Sequence, residues 1–167
     1  MRELIVPLVE FIRSTRMSQV FRDEVGWLWP LCESVHFLGL ILLIGAAGFF
    51  DLRLLGMFRR VPISACKEFM PWAMFGFSLN LMSGLVFLTI FPAQYAYSQA
   101  WWLKVFFLFI AGANALIFET GFGRRAAALP AGVDSPIAFK MIGAVSLVSW
   151  FFVLYFGRML PYLGAAY

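Results

Sequence analysis

Charge and histidine are what this 167-residue chain has least of. Only 13% of its residues are Asp, Glu, Lys or Arg and a single histidine is present, while 62% are hydrophobic. An ordinary soluble domain is about 45 to 50% apolar and about 25% charged, and a domain this small has too much surface per unit volume to hide the excess from water. The shortage of charge excludes a soluble globular fold and leaves lipid to solvate the surplus. One histidine and two cysteines, Cys32 and Cys66, with no Cys-x-x-Cys pair, give no support to a zinc site or to c-type haem attachment. The net charge of +4 is no nucleic-acid signature, because Lys and Arg stand at the ends of apolar runs as they do in membrane-protein loops; no nucleic-acid partner is expected. Glu3, Pro7, Glu10, Arg13 and Arg16 interrupt any apolar leader core in residues 1–25, so no cleaved signal peptide is expected either.

What is present is an all-α pattern. Residues 1–24 place Ile5, Leu8, Val9 and Ile12 opposite Glu10, Arg13 and Ser14, which predicts an amphipathic helix lying in the membrane interface. Residues 25–160 carry four apolar runs, at about 28–50, 71–91, 101–118 and 137–157, followed by a tail over 161–167. At 1.5 Å per residue each run is long enough to cross a core of about 30 Å. The expected architecture is a polytopic four-transmembrane-helix bundle with an N-terminal interfacial helix, its main partner the lipid bilayer.

Orientation follows from the loops. Arg53, Arg59, Arg60 and Lys67 lie between the first two runs and Arg124, Arg125 and Lys140 between the last two, whereas residues 92–100 carry no charge. Positive loops stay inside, so both termini are expected on the periplasmic face of a bacterial inner membrane. Cys32 then lies near the outer face and Cys66 in a cytoplasmic loop, too far apart for a disulfide, whose Cα atoms must approach within about 7 Å.

Ionisable and polar residues inside spans are rare and usually face the bundle interior. Here His36, Lys104, Asn80, Met82 and Ser83 all fall in the outer half of the bilayer under this topology. Gly76, Asn80 and Gly84 form a small and polar stripe at i, i+4, i+8 on the second span. Such a stripe lets helices pack closely, or leaves room for a flat macrocycle. A neutral histidine in an apolar bundle suits b-type haem, with Lys104 or Arg158 as counter-charge to a propionate. On this reading His36 is the metal ligand, and Met82, Lys104, a second His36 from a homo-oligomer or no protein group takes the sixth position. The plainer alternative has His36 hydrogen-bonding Glu33, or a Ser or Asn of a neighbouring helix, and merely holding the bundle together. Asp51, Glu119, Arg124 and Arg125 are expected to fix helix depth at the cytoplasmic side.

The run Glu33-Ser-Val-His36-Phe-Leu-Gly39, then Asp51-Leu-Arg53-Leu-Leu-Gly56, Pro71-Trp72-Ala73 with Gly76-Phe77, and Lys104 ten residues before Asn114-Ala115 resembles an uncharacterised bacterial family of four-helix membrane proteins over about residues 25–160. More distantly, the first-span His and the Trp-Leu-Lys opening of the third span resemble HemJ-type protoporphyrinogen oxidases and the CopD copper-resistance membrane domain. The HemJ likeness implies haem b and activity tied to His36 and Lys104. It departs at Glu119, where HemJ-type proteins usually carry a further His. The expected function is a haem b membrane protein, for electron transfer with a quinone or redox-protein partner or as a HemJ-like oxidoreductase. The alternatives are a non-catalytic assembly subunit or a CopD-like copper handler, which lacks the Met-x-x-Met or His-rich segment that copper selects, and a small transporter, which lacks paired broken helices.

Overall fold

The computed structural model describes residues 2–163, with side chains from residue 5 onward. Its described residues form nine helices and no strand: α1 (Arg2–Ser14), α2 (Arg16–Asp23), α3 (Val25–Leu54), α4 (Ile63–Lys67), α5 (Met70–Ile90), α6 (Pro92–Ala96), α7 (Gln99–Gly121), α8 (Gly123–Ala127) and α9 (Ile137–Leu163). Helices α3, α5, α7 and α9 are the four expected spans, and the membrane surface explains their composition. Ile41, Met74, Phe109 and Ile137, one on each, are 69%, 72%, 74% and 74% exposed. In water that surface would drive aggregation; in acyl chains it is solvated.

The spans run past their expected ends. Helix α3 extends to Leu54, and α9 continues through Pro161 to Leu163, so Pro161 does not open the tail, whose last residues, 164–167, lie outside the described residues. The N-terminal segment is two helices instead of one. Thr15 breaks it, because its Oγ1 donates to the Ile12 carbonyl and accepts from the Ser18 amide as the cap of α2, a competition with helix continuation typical of Thr. Val9 is buried, α1 rests on α6, and the Ser18 hydroxyl donates to the Thr89 carbonyl at 2.7 Å, tying α2 to the end of α5.

Packing is uneven. Helix α3 lies along α5 and also meets α9, α9 lies along α7, and α5 and α7 hardly touch. The tightest approach is α3 against α5. A Cβ on Gly76 would stand 2.6 Å from the Gly39 carbonyl oxygen and 2.7 Å from the Leu43 nitrogen, so only glycine lets these backbones meet.

The densest core sits at the end carrying the basic loops, where Phe50, Leu54, Ile63, Cys66, Phe118, Ala126 and Phe139 cluster. Helix α3 stops there in a Schellman motif: Met57 N donates to Leu52 O, Gly56 N to Arg53 O, and Gly56 takes φ +94°, a conformation that favours glycine. Arg53, read from sequence as a loop charge, is fully buried. Its guanidinium donates to the Val61 carbonyl, the Ser135 hydroxyl and the Val133 carbonyl, clamping both basic loops to the end of α3. Asp134 adds ion pairs with Lys140 and Arg59, and Lys67 pairs with Glu119 at 2.9 Å. Glu119 therefore anchors α7 to α4. Cys32 and Cys66 are both free thiols.

Candidate functional site

The other half of the bundle holds a cavity of about 580 Å³, lined from all four spans and from α6. Its existence follows from the packing. Below it, Gly39, Gly76, Leu43 and Ala73 draw α3 and α5 together; above them Asn80, Ser83, Gly84 and Phe87 on α5 face His36, Trp29 and the far side, where α7 stands off. A volume in the range of about 300 to 1,000 Å³ with mostly apolar walls and few polar groups is typical of small-molecule sites.

His36 lines this cavity, and its ring is held from both sides. Phe87 packs against it at 5.6 Å between centroids, within a ladder that includes Trp29. Ser83 Oγ lies 2.8 Å from Nδ1 and 2.7 Å from the Leu79 carbonyl. A hydroxyl has one proton. With that proton on the Leu79 carbonyl, Nδ1–H donates to Ser83 and Nε2 keeps its lone pair, a tautomer assigned from the bonding pattern. This arrangement also orients histidine ligands in metal proteins.

Lys104 reaches the same cavity from α7. Its ammonium lies against Gly157 of α9, where a Cβ would come within 3.6 Å of Nζ, and among the described residues no carboxylate pairs with it. Arg158 follows Gly157 and lines the cavity nearer its end. Asn80 donates Nδ2 to the Gly76 carbonyl at 2.9 Å, while its Oδ1 is buried without a partner, which is uncommon for a buried acceptor. Gly84 borders the cavity with nothing within 4 Å of where a Cβ would stand.

Two residues of the expected set lie elsewhere. Met82 is 67% exposed and does not line the cavity; at about 100° per residue it points some 200° away from Asn80, toward lipid, and cannot ligate what His36 faces. Gly76 sits at the α3–α5 crossing under the cavity, its space filled by the α3 backbone, and leaves no room for a macrocycle. His36, Lys104, Asn80, Gly84 and Arg158 do come together.

The structure adds residues the sequence did not single out. Gln94 and Tyr95 of α6 and Trp101 of α7 line the cavity, and Trp150 of α9 lines it where it packs against the Leu43–Ala73 cluster below. Burial, with the Glu33 carboxylate nearby, pushes the Tyr95 hydroxyl up to about 12, so it stays protonated and able to donate. Only the short uncharged loop around it could have signalled Tyr95. Gly157 had a clearer sign, since a lysine in an apolar span needs a small neighbour to lie against.

No three His, Cys, Asp or Glu side chains gather to hold a metal ion among the described residues. No family model, curated protein or solved structure matches this chain.

Proposed function

We propose that this is a haem b-binding protein of the bacterial inner membrane, its cavity in the outer half of the bilayer, working in electron transfer or as an oxidoreductase. The observation that carries the proposal is one imidazole fixed through Nδ1 by Ser83 in the wall of a four-helix cavity. A porphyrin brings four of its own nitrogens, so a single histidine suffices where a side-chain metal site needs three or four ligands. That difference favours haem over a copper-handling role on these residues.

In this reading His36 would hold the iron, with Ser83 keeping its tautomer and ring plane, and Lys104 with Arg158 would balance propionate charge. The open space at Gly84 and the unpartnered Asn80 Oδ1 are features of a wall shaped for something besides side chains. Met82 drops out as the sixth ligand. Lys104 or a His36 from a second copy remain the protein candidates for that position. Bound there, haem would supply a one-electron couple, and a quinone or redox protein would be the exchange partner. The basic loops set the orientation, with both termini outward.

Protein purified in mild detergent from haem-sufficient cells is expected to show a Soret band that sharpens on dithionite reduction. His36→Ala should abolish it while size-exclusion behaviour and helical content stay unchanged. Colourless, fully folded wild-type protein would sink the proposal.

A further inference from the structure

Lys104 reaches into an apolar cavity with no carboxylate in ion-pair contact with it among the described residues, an arrangement that is expensive in a membrane unless a ligand supplies the charge. The cavity is also open to the lipid. Helices α5 and α7 hardly touch, and Leu81 and Leu85 line the cavity while being 49% and 53% exposed. Val105 and Leu108 of α7 line the same cavity. A side chain that lines a cavity and is half exposed stands at its mouth, and around a transmembrane helix that mouth opens onto acyl chains. Phe37 of α3 and Leu154 of α9 also line the cavity while being 61% and 37% exposed, but α9 packs on both α3 and α7, so the α5–α7 gap is the side with almost no helix contact to close it.

We propose that this cavity binds a carboxylate-bearing amphiphile from the surrounding leaflet, its acid group on Lys104 and its apolar body lying through the α5–α7 gap. The carboxylate has two chemical sources, a fatty acid or a porphyrin propionate. The proposal stands on Lys104 and the gap, so it survives if no iron is ever bound. A compact ammonium pairs with a carboxylate as a point charge, and removing both from water strengthens the attraction. Glu33 also lines the cavity but is exposed, and it would oppose an acid placed at the rim, which favours the deeper seat.

The test uses the full chain in lipid nanodiscs with a fatty acid carrying a mid-chain diazirine, and its methyl ester as the uncharged control. After photolysis, the acid should label residues bordering the gap, Leu81, Leu85 and Val105, several-fold above Ile41, Phe109 and Phe151 on other lipid-facing surfaces. Lys104→Met should lose that enrichment and Lys104→Arg should keep it. His36→Ala should also keep it, which separates this site from iron ligation. Labelling spread evenly around the bundle, equal labelling by acid and ester, or enrichment unchanged in Lys104→Met would each overturn the proposal. Added hemin discriminates the source. Displacement of the label puts the porphyrin carboxylate in the same seat, while no displacement leaves the fatty-acid site standing and removes the haem reading.

Discussion

At the basic end of the bundle charged groups are answered, whereas at the cavity end they are left open. Arg53 gives its donors to two carbonyls and Ser135, Lys67 meets Glu119, and Asp134 takes both Arg59 and Lys140. Phenylalanines, Leu54, Ile63 and Cys66 fill the space between. At the other end Lys104 has no ion-pair partner among the described residues, Asn80 Oδ1 has no donor, and the His36 ring lines a cavity. The buried exception at the basic end is Asp51, 4% exposed with Oδ2 unpartnered where α3 crosses α9. Closed packing with satisfied polar groups confers stability, and unsatisfied groups around a void are where ligands are taken up. The contrast divides the molecule into an end that holds the helices together and an end that uses them.

The strongest way to break this division is Arg53→Met. Three charge-assisted bonds vanish and buried acceptors lose their donors, each bond to a charged group being worth about 1.5 to 3 kcal/mol. We expect a loss of at least about 3 kcal/mol in stability, read as a lower midpoint of unfolding in detergent. Ligand binding by the protein that remains folded should be unaltered. A binding defect in the folded fraction would mean that the two ends are coupled.

A smaller effect contrasts two glycines two turns apart on α5. Gly76→Ala drives a methyl into the α3 backbone, and overpacking of this kind costs about 1 to 3 kcal/mol. Gly84→Ala meets nothing within 4 Å and exchanges a poor helix former for a good one, so stability should hold or rise by up to about 1 kcal/mol. Thermal unfolding of the two variants side by side checks this. Equal losses would mean that the cavity wall is as tightly packed as the crossing.

This pair also shows what sequence could reveal. The four spans were legible because twenty apolar residues in a row admit few other fates, and the shared depth of His36 and Lys104 followed from counting turns inward from an uncharged loop. Depth alone misjudged Met82, for a ligand must match in helical phase as well, and Ser83, one residue on, has the phase that Met82 lacks. Gly76 and Gly84 look alike in sequence; only the partner helix makes one a contact and the other a wall. Arg53 was illegible for a different reason. Its partners Val133 and Ser135 lie 80 and 82 residues away, and nothing local distinguishes it from Arg59 or Arg60. The Asp-Leu-Arg-Leu-Leu-Gly segment thus gains a physical meaning as a helix stop with a buried clamp.

The mildest effect concerns pH at the stapled end. The hydrogen bond from Lys140, with that from the Ser135 amide and the charge of Arg59, holds the Asp134 carboxyl below the usual carboxylate range against the opposing effect of desolvation. An acid whose folded value lies below its unfolded value of about 3.9 stabilises the fold fully at higher pH, and the contribution fades as pH falls through the folded value. Asp134 is exposed and its ion pairs are screened by salt, so the effect should be a shallow drop in unfolding temperature below about pH 4. In Asp134→Asn that drop should be shallower and the pH 7 midpoint slightly lower. Gly56, at φ +94°, gives the carboxylate room, since a Cβ there would stand 2.5 Å from Asp134 Oδ1. If the variant instead lost as much stability as Arg53→Met, the loop ion pairs and not the buried guanidinium would be what holds the basic end closed.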